Sequence, residues 1–144
     1  MGKVLELQVM VAKMRKCFNR VINDAVKNEV LTGMHGNYLV TLADNDLTKS
    51  EMTDILGFDK ANTTRVIDEL ESFGYVVRKE GSKSNACLYH LTEKGKETAL
   101  RIESALLDFI KQITNGISEE NCKIYREVYL KILENIDNES KRKD

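Results

Sequence analysis

Apolar residues recur along the chain with two different periods, and the switches between them mark its elements. From residue 3 to 28 they fall at Leu7, Met10, Met14, Phe18, Val21, Ile22 and Ala25. That is the spacing of one helix face, sustained over about seven turns. Thr32 opens a shorter helix through Tyr38, Leu39 and Leu42, and Asp44-Asn45-Asp46 supplies turn chemistry to end it. Thr48 and Glu51 form an S/T-x-x-E capping box for a helix through Met52 and Ile55 to Leu56, with Gly57 as its stop. Asp59 is an N-cap for the next helix, whose apolar stripe is Val66, Ile67, Leu70 and Phe73 and whose stop is Gly74. The period then shortens. Tyr75 to Lys79 and Ala86 to Leu91 are rich in β-formers, and Gly81-Ser82-Lys83-Ser84-Asn85 between them predicts a hairpin with a polar tip. Thr92 caps a long helix over about 93–114, Gly116 breaks it, and Ser118 caps a last helix through Tyr125, Val128, Tyr129, Ile132, Leu133 and Ile136. The charged tail from Glu139 is expected to fray.

This order is helix, helix, helix-turn-helix, hairpin, helix, helix. It predicts a mostly α fold with a small β-hairpin wing: a winged helix-turn-helix flanked by long N- and C-terminal helices. The apolar faces of those outer helices exceed what the central module can cover. A second copy related by two-fold symmetry is the economical cover, so a homodimer is expected.

Composition narrows the function. With 144 residues the chain is expected to form a single domain over 1–144. Its 22 Lys+Arg against 23 Asp+Glu exclude a uniformly basic coat but leave room for a local basic patch. Up to residue 27 the first helix carries six cations and two anions, a solvated face or a contact face. Three dispersed cysteines, Cys17, Cys87 and Cys122, contain no C-x-x-C, which argues against a zinc ribbon, a thioredoxin motif or a secreted disulfide scaffold. Glu6 and Lys13 interrupt the N-terminal apolar runs, so no signal peptide or membrane span is expected, and the chain reads as cytoplasmic. No Gly-rich phosphate loop, G-x-S-x-G or H-E-x-x-H is present, so no enzyme activity and no cofactor are expected.

Three stretches together resemble the MarR family of winged-helix transcription regulators. They are Leu47-Thr48-x-x-Glu51, the run Thr64-Arg65-Val66-Ile67-Asp68-x-Leu70-Glu71-x-x-Gly74-Tyr75-Val76-x-Arg78, and Leu91-Thr92-Glu93-Lys94-Gly95. The resemblance covers about residues 31–98 and implies that this stretch is the DNA-binding region, with 1–30 and 99–144 as dimerisation helices. It also implies a homodimeric repressor on a pseudo-palindromic double-stranded operator, released by a small effector. One departure stands out: the family's wing carries Asp-x-Arg, whereas Lys83 is the one cation of the tip here.

On a helix from Lys60, the i, i+4 pairs Lys60/Thr64 and Ala61/Arg65 lie opposite the apolar stripe. The expected DNA-binding residues are therefore Lys60, Ala61, Asn62, Thr64 and Arg65, with Ser82, Lys83 and Ser84 from the wing. Lys60 and Arg65 also fit ordinary solvated charges near Asp68 and Glu69. Residues 60–65 and 78–83 hold five cations against Glu80, a basic patch, although Arg78 also fits a structural tie to a carboxylate. The family's ligand pocket points to Met10, Met14, Met34, His35 and Tyr38 as lining for a small aromatic or apolar effector, or else as ordinary core. Some family members sense peroxide through a first-helix thiol, which makes Cys17, beside Arg15, Lys16 and Arg20, a redox candidate. His35 and His90 are not spaced as a metal pair, so no metal is expected. A winged helix used for protein–protein docking is the remaining alternative.

Overall fold

Local capping chemistry sets most helix boundaries. The structure, a computed structural model, describes residues 2–79 and 87–141. Its elements are α1 (Lys3–Val26), α2 (Gly33–Thr41), β1 (Leu47–Thr48), α3 (Lys49–Leu56), α4 (Lys60–Ser72), β2 (Val76–Arg78), β3 (Leu88–Leu91), α5 (Glu93–Ile113) and α6 (Glu119–Lys141). At the start of α3, Thr48 Oγ1 accepts from the Glu51 N–H at 3.2 Å, and Glu51 Oε2 accepts from the Thr48 N–H at 2.8 Å. Two otherwise orphan donors are thereby satisfied. Gly57 ends α3 at φ +66°, a left-handed conformation that costs glycine no Cβ clash. Asp59 Oδ1 accepts from the Asn62 N–H at 2.8 Å and starts α4. The far end of α4 is a Schellman closure: the Tyr75 N–H donates to the Leu70 carbonyl at 2.9 Å and the Gly74 N–H to the Glu71 carbonyl at 3.1 Å.

The sheet departs from the simple hairpin expected. It has three antiparallel strands in the order β1-β3-β2. Leu47 pairs with Tyr89 and Thr48 with Leu88, while Val76, Val77 and Arg78 pair with Leu91, His90 and Tyr89. Leu47 and Thr48 therefore hydrogen-bond to the outer edge of β3 before α3 begins. The strands are shorter than expected, 76–78 and 88–91, and α1 ends at Val26 rather than at 28. The last helix continues to Lys141, through residues expected to fray. The expected tip of the wing, with Ser82, Lys83 and Ser84, lies outside the described residues.

The chain separates into two units, 1–109 and 110–144. In the first, Ile22 and Val26 of α1, Tyr38 and Leu39 of α2, Met52 of α3, Val66, Ile67 and Leu70 of α4, Val76 of β2 and Ala99 and Ile102 of α5 build one buried cluster. Glu29, just beyond α1, ties together the turn before β2 and α5. Its carboxylate accepts from the Tyr75 hydroxyl at 2.6 Å and the Thr98 hydroxyl at 3.3 Å, and pairs with Arg101. In the second unit, α6 buries none of its residues. Its stripe of Tyr125, Val128, Tyr129, Ile132, Leu133 and Ile136 is exposed, and the Tyr125 and Tyr129 rings stack at 6.2 Å. Among the described residues, no helix is long and apolar enough to cross a membrane.

Candidate nucleic-acid interface

α4 presents two unlike faces, and a buried polar contact sets which is which. Thr63, Val66, Ile67 and Leu70 are buried, whereas Lys60, Ala61, Thr64, Arg65 and Asp68 are exposed. Thr63 Oγ1 lies 2.9 Å from the Tyr38 hydroxyl of α2 and 2.9 Å from the Thr53 hydroxyl of α3. Buried hydroxyls need partners, so this triple contact pins the rotation of α4 about its own axis. Burial also raises the Tyr38 pKa above the ordinary tyrosine range, which keeps the hydroxyl protonated.

The sequence-predicted reading residues occupy this outer face in different ways. Lys60, Ala61 and Thr64 project into solvent, and Lys60 makes no ion pair among the described residues. Asn62 is half-buried. Its Oδ1 accepts from Arg65 NH2 at 2.9 Å, and its Nδ2 donates to Met34 Sδ at 3.7 Å. Arg65 is exposed, but NH1 reaches both oxygens of Glu69 at 3.0 Å.

The basic patch is weaker than a count of neighbouring cations implied. Arg65 pairs with Glu69, Arg78 with Glu71 at 3.0 Å, and Lys79 with Asp46 at 2.7 Å. These carboxylates lie outside the two windows compared in the sequence: Glu69 is one helical turn from Arg65, and the fold brings Glu71 and Asp46 to Arg78 and Lys79. Arg78 is thus tied to a carboxylate at the base of the wing, and its guanidinium lies 6.0 Å from the Tyr89 ring centre. The hydrogen bond from Lys79 lowers the Asp46 pKa. The hydrogen bond from His35, then that from Arg65, lowers the Glu69 pKa. Exposed pairs such as Arg78–Glu71 and Lys79–Asp46 contribute little, so a phosphate can replace the carboxylate at little cost.

The candidate pocket residues do not share one environment. His35 and Tyr38 belong to the core, and both have their polar atoms occupied. Thr32 N–H donates to His35 Nδ1 at 3.0 Å, His35 Nε2 meets Glu69 Oε2 at 2.8 Å, and the Tyr38 hydroxyl meets Thr63. Met34 is half-buried beside Asn62, Met14 is half-buried on α1, and Met10 is 45% exposed. Two concave surfaces are described elsewhere: one along α1 from Leu7 to Asn19, the other between the 44–46 turn, Lys79, His90 and Lys96. Neither includes any of the five.

Cys17 is a half-buried free thiol in the same stripe of α1 as Met14, Phe18 and Val21. Arg15, Lys16 and Arg20 are exposed. Among the described residues, no group of three or more His, Cys, Asp or Glu is placed to hold a metal ion. Sequence reasoning missed the partnership of Glu69 with His35. The two are 34 positions apart, and no local pattern links them.

The model of the MarR family matches residues 31–83. The HTH-type transcriptional regulator YdgJ of Bacillus subtilis, itself uncharacterized, is 30% identical over 128 residues, covering 83% of this chain and 75% of that protein. The transcriptional repressor MprA of Escherichia coli K12 is 29% identical over 103 residues, 69% of this chain but 58% of MprA, so the chain spans little more than half of that relative. A Listeria monocytogenes regulator assigned to the MarR family and crystallised with 26mer DNA superposes with a TM-score of 0.83 at 21% identity, over 96% of this chain and 92% of that one. At that identity the likeness speaks for the fold.

Proposed function

This chain belongs to the MarR family of transcriptional regulators, and we propose that it acts as a homodimeric repressor that reads a pseudo-palindromic double-stranded operator and is released by a small apolar or aromatic effector. The observation that carries the proposal is the split character of α4. One face is pinned in the core by Thr63, Val66, Ile67 and Leu70, and the other offers Lys60, Ala61, Thr64 and Arg65 to solvent. A helix so held can enter a major groove with its N-terminal residues nearest the base edges. Lys60 and Thr64 are assigned to bases or nearby phosphates, Ala61 to close approach or a thymine methyl, and Arg65 to a guanine edge or a phosphate. Ser82, Lys83 and Ser84 are assigned to the wing contact.

Residues 31–98 would form the reading region, and 1–30 with 99–144 the dimer helices. The exposed stripe of α6 supports this, because an apolar face of that length needs a cover and a second copy supplies it symmetrically. Two such copies present the reading face twice, as a palindromic site requires. Effector release is supported by Met34. Its sulfur touches Asn62 on the edge of the reading face, so a ligand that moves Met34 disturbs Asn62. The site of action would be the cytoplasm, where chromosomal DNA lies, and no residue is assigned a catalytic role.

The test is a salt titration of binding to duplexes from upstream of the chain's own gene, with random duplex as competitor. Tight, salt-dependent binding that survives competition is expected, since each phosphate contact releases counterions. Equal, salt-insensitive behaviour toward every duplex would refute DNA reading and favour a docking module. Peroxide that abolishes binding by the wild type but not by Cys17→Ser would instead make the thiol, not a ligand, the releasing signal.

A further inference from the structure

We propose that His35 and Glu69 are positioning residues for sequence reading: together they anchor the guanidinium of Arg65 to the N-terminus of α2. The inference rests on the DNA-reading role of α4 proposed above.

The chain of contacts has one consistent protonation. A backbone N–H can only donate, so Nδ1 of neutral His35 is the acceptor from Thr32 at 3.0 Å and the ring proton sits on Nε2. Nε2–H then donates to Glu69 Oε2 at 2.8 Å. Both Glu69 oxygens face Arg65 NH1 at 3.0 Å, and Arg65 NH2 donates to Asn62 Oδ1 at 2.9 Å. His35 is 6% exposed and its ring lies 5.9 Å from that of Phe73, so the anchor itself cannot swing out.

An i, i+4 pair between Arg65 and Glu69 would be loose by itself, because both side chains end in solvent. The buried imidazole removes one of those freedoms by holding the carboxylate. The guanidinium is then held at two edges, by a carboxylate and an amide, and it enters a complex already oriented. The same carboxylate places a negative charge one turn along the reading face, which opposes phosphate at every sequence. Glu69 thus has two effects of opposite sign. It lowers affinity for DNA in general, and it raises the preference for the right sequence. A merely electrostatic or merely structural residue would not separate these two quantities.

The experiment selects a duplex from a randomised pool with the wild-type protein. It then measures, for each variant, affinity for that duplex and for a scrambled one at several salt concentrations, with thermal melting as a check on folding. Glu69→Ala is expected to bind the scrambled duplex more tightly, yet to lose about fivefold in the selected-to-scrambled ratio. In an Arg65→Ala background the same substitution should leave the ratio unchanged. Glu69→Gln, equal in volume, carries the same comparison without a cavity and should shift the ratio in the same direction. His35→Gln keeps a donor near Nε2 and should retain the ratio to within about twofold. A Glu69→Ala ratio equal to wild type, or lowered equally with and without Arg65, overturns the inference and leaves the DNA-reading role standing. A wild-type chain that enriches no sequence overturns the DNA-reading role and this inference with it.

Discussion

Gly95→Ala provides a quantitative test of how the wing joins the helix that follows it. Gly95 sits in the first turn of α5, where a Cβ would lie 2.1 Å from the Tyr75 carbonyl oxygen and 3.3 Å from Leu91 Cβ. Ordinary contact begins near 3.4 Å, so α5 and the residue before β2 would have to separate by about 1.3 Å. Little there can yield. The same carbonyl accepts from the Thr92 N–H at 3.0 Å, the Thr92 hydroxyl donates to the Gly74 carbonyl at 2.8 Å, and Lys94 Nζ reaches the Phe73 carbonyl at 3.1 Å. The Tyr75 side chain is itself held by Glu29 and lies under Lys94 Nζ at 4.0 Å. Overpacking of this kind costs about 1–3 kcal/mol, and stretching the Thr92–Tyr75 bond about 1 kcal/mol more. Alanine recovers at most about 1 kcal/mol of helix propensity. The net expectation is a loss of about 1–3 kcal/mol, or a melting temperature lower by about 3–12 °C for a chain of this size. Urea unfolding followed by circular dichroism, at one protein concentration because self-association shifts apparent stability, measures it. A variant within about 0.5 kcal/mol of wild type would refute the reasoning, since α5 would then ride over the strand freely.

Other consequences can be checked separately. Arg65→Ala should weaken binding to a selected duplex by about 1–3 kcal/mol without changing the oligomeric mass; unchanged affinity at several salt concentrations would remove Arg65 from the interface. Tyr129→Glu or Ile132→Glu, each placing a charge in the exposed stripe of α6, should lower the sedimenting mass to that of one chain while helical content persists. Unaltered mass would mean the stripe is not what joins two copies. Tyr38, whose pKa is raised by burial, contributes stability that is full below about pH 10 and lost as pH rises through its raised folded value. Tyr38→Phe should therefore flatten the alkaline arm of a pH–stability profile. Glu51 and Asp46 carry lowered values, from the hydrogen bonds of Thr48 and Lys79 respectively. Their contributions are present above the ordinary carboxylate range and fade as pH falls through the lowered values. Glu51→Gln should shrink the acid arm, and an unchanged profile would deny the capping box any part in it.

The amino-acid sequence by itself determined what depends on neighbours a few positions apart. Thr48 with Glu51, Gly57, Asp59 and Gly74 specify where α3 and α4 begin and end, because capping bonds span three or four residues and a left-handed turn needs no distant partner. The stripe Val66, Ile67 and Leu70 determined which face of α4 is buried, since helical periodicity alone fixes that choice. The same logic placed Lys60, Ala61, Thr64 and Arg65 outside. Tertiary structure decided what depends on groups far apart along the chain. Leu47 and Thr48 become a strand because β3 offers an unpaired edge, and two residues have no periodicity to announce it. The positive charges of Arg78 and Lys79 are offset because Glu71 and Asp46 arrive beside them. His35, read as pocket lining or as core, joins the start of α2 to Glu69, 34 positions away. Hydrogen bonds and ion pairs act over about 3–4 Å, and only the packed chain brings such residues within that distance.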